Sequence, residues 1–189
     1  MFLGIHKFMI YKTIASLCIL LWSFSSNAIE PAKNSDKIKA AFLLHFTGYT
    51  TWPSIKTEQV NICLLGEVSF DSFLKSMVKA KPENRVGQKL NVLYLETKEE
   101  LNSCHVAFVA KNLVKQAVEY RTEHNLSTLL VGESKGFIEQ GGMVNFFTDK
   151  QRIRFQVCVD KVEAANIKMS ADLLRLAVIY KPQIDKVAP

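Results

Sequence analysis

Residues 129–147 read Leu-Leu-Val-Gly-Glu-Ser-Lys-Gly-Phe-Ile-Glu-Gln-Gly-Gly-Met-Val-Asn-Phe-Phe, and two incompatible architectures fit them. Gly132-Glu133-Ser134-Lys135-Gly136 spells G-x-S-x-G after an apolar run, which is how a serine hydrolase exposes its nucleophile at a strand-to-helix turn. The same residues also suit a turn plus a hairpin in a small binding domain. The hydrolase reading fails downstream of the serine. Gly141-Gly142 leaves little room for the helix that must support the nucleophile, and no histidine follows His124 to complete the order Ser…Asp…His. The glycines have a sufficient role as residues that permit positive φ in tight connections between strands. No catalytic residue is assigned, and Ser134 is not read as a nucleophile.

Other chemistries find no better support. Cys104 and His105 are adjacent, so on a strand they point to opposite faces and cannot easily ligate one ion. There is no H-x-x-x-H or C-x-x-C, and neither glycine cluster is followed by the residues of a phosphate-binding loop. No metal or cofactor is expected. His45 falls on the apolar face expected for the first helix, and His105 opens a strand. His124 lies at a polar helix end, where a cation is favoured.

Working outward, Ser35 or Asp36 is a candidate cap for a helix carrying Ile38, Ala41, Phe42, Leu44, His45 and Phe46, closed near Gly48 and by Trp52-Pro53. Apolar runs predict strands at Val60–Leu65, Leu90–Leu95, His105–Val109 and Thr128–Val131. Helices are predicted at Phe70–Val78 and Leu113–His124, with a short polar one around Lys98–Asn102. Met143–Phe147 pairs with Ile153–Val159 as a hairpin. A last helical part opens at Asp160 or Lys161 and resumes from Ser170 to about Ile179. Short apolar strands alternating with helices predict a single α/β domain. Its sheet is mixed but mostly parallel and flanked by helices, with an antiparallel hairpin near the C-terminus.

The ends and the composition bound the class. Lys7 and Lys12, the apolar run Thr13–Phe24 and the small residues Ser25-Ser26-Asn27-Ala28 have the pattern of a secretory signal peptide over residues 1–28. The domain then spans residues 29–189. Removing the leader lowers the formal charge from +6 to +4, because it takes two lysines and no acid. Cations are scattered, so no nucleic-acid surface is expected. Export to the periplasm leaves Cys63, Cys104 and Cys158 in an oxidising compartment. One disulfide between Cys63 and Cys104 is preferred, with three reduced thiols or a pairing through Cys158 as the alternatives. The segment from Lys168 to Tyr180 carries Leu173, Leu174, Leu176, Ala177 and Val178 against little polar surface. It reads as core, or as apolar surface left for a partner or a second copy of the chain.

The chain resembles the YfiR family. The resemblance rests on Lys39-Ala40-Ala41-Phe42-Leu43-Leu44 with Phe46 and Trp52-Pro53, on Ile62-Cys63-Leu64-Leu65-Gly66, and on Gly132-Glu133-Ser134 through Phe137. It extends through Gly141-Gly142-Met143-Val144-Asn145-Phe146 and Lys168-Met169-Ser170-Ala171-Asp172-Leu173-Leu174-Arg175-Leu176-Ala177. It implies a periplasmic, non-enzymatic regulator. Members of known role bind the periplasmic sensor region of an inner-membrane diguanylate cyclase and hold it inactive, which lowers cyclic di-GMP and biofilm formation. An outer-membrane lipoprotein can sequester such a repressor, and disulfide redox state affects its competence. Cys63 and Cys104 match a cysteine pair that bridges in such repressors. A second bridge known in the family needs two cysteines near the last strands, where this chain offers only Cys158. The family's partner-binding surface lies toward the C-terminal part, which points to Glu163, Ser170, Leu173, Leu174 and Arg175. The alternative is a periplasmic receptor for a small ligand, bound in the strand-end crevice of an open α/β sheet.

Overall fold

The computed structural model of the protein describes residues 31–52 and 58–181. The expected signal peptide and Pro53 lie outside the described residues. Helix α1 (Pro31–Tyr49) starts earlier than the capping residues suggested. Asp36 is therefore a helical residue. It accepts from the Ser69 hydroxyl at 3.0 Å and pairs with Lys39 at 3.5 Å. Ala40, Leu43, Phe46 and Thr47 recur at helical spacing and are buried. His45 is exposed, on the opposite side from the face expected.

Strands β1 (Thr50–Thr51), β2 (Gln59–Leu65), β3 (Lys89–Leu95), β4 (Val106–Val109) and β5 (Leu129–Gly132) follow along the chain. They are interleaved with α2 (Asp71–Ala80), a 3-10 turn over Lys98–Ser103, a second over Lys111–Leu113, and α3 (Val114–Glu123). The C-terminal part adds β6 (Val144–Asp149), β7 (Arg152–Val157), α4 (Val159–Ala164), β8 (Lys168–Met169), α5 (Ala171–Leu174) and β9 (Val178–Ile179). Seven strands form one sheet in the order β3-β2-β4-β5-β6-β7-β9, while β1 and β8 pair separately, with Thr50 opposite Met169. From β3 to β6 every pairing is parallel, and β7 runs antiparallel to β6. The fold is thus the expected α/β domain with a mostly parallel sheet and a C-terminal hairpin. Lys150 and Gln151 connect that hairpin with φ of 46° and 64°, the left-handed pair that suits a two-residue loop.

The central strands are apolar on both faces, as buried parallel strands must be. Ile62 and Leu64 of β2, Val106 and Phe108 of β4 and Leu129 and Val131 of β5 join one core, with Leu43, Phe46, Leu74, Val162 and Leu173 from the helices. Phe46 lies edge-on to Phe155 at 5.2 Å, and Phe70 does the same to Phe108 at 4.9 Å. Alternate residues Cys63, Leu65, Ala107, Val109 and Leu130 face the second core with Val114, Ala117 and Tyr120 of α3. Period-two alternation along each strand therefore builds two cores, one on each side of the sheet.

The C-terminal helix expected to reach Ile179 does not. It stops at Leu174, and Val178 and Ile179 pair in parallel with Gln156 and Val157 of β7. The Tyr180 N–H donates to the Val157 carbonyl at 2.8 Å. The β-branched pair satisfies backbone groups along β7 that a helix would have left open.

Candidate functional site

Two surfaces carry the residues singled out by the sequence. The first is the C-terminal edge. Glu163 on α4 is exposed, and so is Arg175, which pairs with Asp172 across one helical turn. Ser170 caps α5, its hydroxyl accepting from the Leu173 N–H at 3.3 Å. Leu173 is buried in the core and Leu174 packs partly against it. The expected partner residues thus divide into an exposed pair, a cap and a core anchor with its neighbour. Beside them lie three apolar residues that the helical reading had assigned to a continuing helix. Leu176 is 63 % exposed, Val178 39 % and Ile179 43 %. Strand β9 is the last in the sheet, so among the described strands its outer backbone edge is unpaired. An apolar open edge of this kind is a ready pairing surface. The signal for it was the β-branched Val178-Ile179 pair, which the surrounding leucines masked.

The second surface is a crevice of about 790 Å³ at the carboxyl ends of β2, β4 and β5, lined by Gly66, Glu67, Lys111, Asn112, Glu133 and Ser134 among others. Glu133 and Ser134 belong to the glycine-rich stretch between β5 and β6. Residues 133–143 connect the parallel neighbours β5 and β6 through turns, with no helix behind Ser134. The Phe137 ring is buried between Gly132 and Gly142, and a Cβ on either glycine would overlap it. Only Gly136 and Gly141 of this segment need positive φ, at 76° and 110°. Close approach, not backbone freedom, is what Gly132 and Gly142 supply. With its Nδ2 turned toward them, Asn145 donates to the Gly132 and Ser134 carbonyls at 3.2 Å each. The Ser134 hydroxyl is buried and has no hydrogen-bond partner among the described residues. Lys39, largely buried, reaches from α1 to Glu133 at 2.5 Å.

Cys63 and Cys104 are joined in a buried disulfide with Cα atoms 5.9 Å apart, and Cys158 is a buried free thiol. Next to the bridge, His105 Nδ1 accepts the Asn61 N–H at 3.1 Å, so its Nε2 carries the proton. That Nε2 is buried without a partner, and the ring lies perpendicular to Trp52 at 5.4 Å. Burial lowers the His105 pKa below its usual 6.5. His124 donates from Nδ1 to the Tyr120 carbonyl at the end of α3, at 2.9 Å. These histidines are held by structural contacts, and none of the contacts reaches Ser134.

These features define a three-layer α/β scaffold with an open apolar edge and a polar strand-end crevice. The family model of the YfiR/HmsC-like proteins matches residues 36–178, and the chain belongs to that family. That family is of a regulatory type, associated with cyclic di-GMP signalling. No curated protein matches the chain. Among solved structures, a conserved domain protein from Vibrio cholerae O1 biovar El Tor is similar with a TM-score of 0.48 at 9 % identity, over 77 % of this chain and 60 % of that one. An ABC domain from Streptococcus pneumonia in complex with L-Trp gives 0.46 at 11 % identity, over 74 % of this chain and 59 % of that one. The chain thus spans about three fifths of each of these two proteins. Neither likeness bears on its activity or ligands. No helix among the described residues is long and apolar enough to cross a membrane.

Proposed function

We propose that this protein is a periplasmic repressor that binds the periplasmic sensor region of an inner-membrane diguanylate cyclase and lowers cyclic di-GMP. The observation that carries the reading is the family match across residues 36–178. The exposed apolar residues Leu176, Val178 and Ile179, with exposed Arg175 just before them in the chain, support this edge as the contact surface. Repression by binding needs only a preference for the inactive state of the cyclase. A difference of about 1–3 kcal/mol between the two states shifts the equilibrium by roughly 5- to 150-fold. Deleting the gene should raise cellular cyclic di-GMP in a strain that expresses the cyclase, and the wild-type copy should restore it. A copy carrying Val178→Asp and Ile179→Asp should be exported and folded, since both side chains are exposed, yet fail to restore repression. Unchanged cyclic di-GMP on deletion would overturn the function. Full restoration by the double variant would overturn the surface. Sequestration by an outer-membrane lipoprotein and self-association through the same edge belong to this proposal, and both predict competition with the cyclase.

A further inference from the structure

We propose that the cleft between the C-terminal half of α1 and the loop leading into β3 binds a small amphipathic carboxylate, its charge held by Arg85. The cleft has a volume of about 330 Å³, within the range of small-molecule sites. At about 30 Å³ for each water-sized group, it holds roughly ten non-hydrogen atoms. Ala41 and Leu44 of α1 and Leu90 of β3 supply its apolar lining.

The loop is built to place Arg85. Asn84 is buried, and its Nδ2 donates to the Thr47 carbonyl at 3.0 Å and to Gln88 Oε1 at 2.9 Å. Its Oδ1 accepts the Val86 and Gln88 N–H groups at 3.1 and 3.0 Å. The loop is thereby folded around one side chain and tied to the last turns of α1. Gly48 then makes room for the Arg85 stem, since a Cβ there would stand 2.7 Å from Arg85 Cγ. Gly48 lies within α1 and has no positive φ, so close approach is what it supplies. The Arg85 guanidinium rests over the Tyr49 ring, 4.3 Å from its centre. A guanidinium held over a ring keeps its in-plane N–H groups for a second partner, in the fork that matches a carboxylate.

Charge and apolar lining together select the ligand. Lys81 and Arg85 are positive, Glu83 is negative, and His45 is neutral or positive. Among the described residues neither Lys81 nor Arg85 has an ion pair. The lining therefore favours an anion, and Glu83 disfavours a second negative charge. A monocarboxylate with a short hydrocarbon body matches both the cations and the apolar lining. A bare inorganic anion would gain nothing from Ala41, Leu44 and Leu90.

The inference does not rest on the repressor reading, and its test uses the purified protein without any cyclase. The amide spectrum of the nitrogen-15-labelled chain is followed during titration with octanoate and phenylacetate. Acetate, octanol and octylammonium are the controls for body and charge, with chloride at matched ionic strength. Saturable shifts at the amides of Gly48, Arg85 and Leu90 are expected with both carboxylates, and much weaker binding with every control. Arg85→Gln should weaken binding by about tenfold or more, the range of a charge-assisted hydrogen bond, with the spectrum away from the cleft unchanged. Glu83→Gln should tighten it by about twofold. Gly48→Ala keeps every charge and favours the helix, yet should weaken binding by about threefold or more because it displaces the Arg85 stem. Shifts that never saturate, or that match those in chloride, would overturn the site. Equal binding of octanol or octylammonium would overturn the ligand charge, and equal binding of acetate would overturn its amphipathic body. Unaltered affinity in Arg85→Gln would overturn the assigned contact.

Discussion

Phe137 shows how one side chain can dictate two glycines far from each other in role. Its ring fills the space between Gly132, at the end of β5, and Gly142, before β6. Neither glycine is needed for positive φ, so alanine is excluded there by overlap with the ring alone. Gly142→Ala should cost about 1–3 kcal/mol, the usual penalty of overpacking a filled site. Phe137→Ala should cost about 3–5 kcal/mol through the cavity left behind. Urea denaturation of the two variants measures both, and the double variant should cost less than the sum because the overlap partner is gone. His105 gives a second residue-scale prediction. The unfolded chain takes up the imidazole proton at about pH 6.5, while the buried folded ring takes it up only at lower pH. The unfolded state therefore binds more protons in that window. The contribution of His105 is complete above about pH 6.5 and is lost as pH falls toward the lowered value. Protonation also destroys the acceptor that Nδ1 offers to the Asn61 N–H. Urea midpoints should drop between about pH 7 and pH 5, and His105→Gln should flatten that drop.

Among elements, the disulfide joins neighbours that already pair. Cys63 lies within β2, and Cys104 stands just before β4, two strands adjacent in the sheet. The bridge closes a loop of 41 residues, and its main effect is on the unfolded chain. Loop-closure entropy puts the stabilisation at about 4 kcal/mol, so Cys63→Ala with Cys104→Ala should lower the unfolding free energy by about 2–4 kcal/mol. Alkylation of the oxidised protein under denaturing conditions should label Cys158 alone among these three cysteines. The sequence favoured this pairing because both cysteines lie in or beside apolar strand runs, but Cys158 adjoins such a run too, and which strands are neighbours is fixed only by the sheet order. The last element was not legible. Leu173, Leu174, Leu176 and Ala177 have the composition of a helix, and helical spacing extends through Val178. The choice of strand lies with β7, whose outer edge accepts Val178 and Ile179. A sequence window holding the helix does not contain that edge.

For the whole molecule, α1 spans the fold's logic. Its buried face closes the first core over the central strands, its Lys39 reaches the crevice through Glu133, and its end hands the chain to β1, which pairs with β8. The crevice at the carboxyl ends of β2, β4 and β5 and the apolar edge at β9 lie at different places on the sheet. By itself, the sequence determined the α/β class, the parallel strands and the hairpin, because each follows from local apolar periodicity, chain spacing or turn chemistry, and it favoured the Cys63–Cys104 bridge over the alternatives without deciding it. Only the tertiary structure decided that His45 faces outward, that Gly132 and Gly142 make room for a ring, and that Val178-Ile179 forms an exposed edge. Those outcomes depend on which groups from distant segments compete for the same space and the same hydrogen bonds, and that competition exists only once the chain has folded.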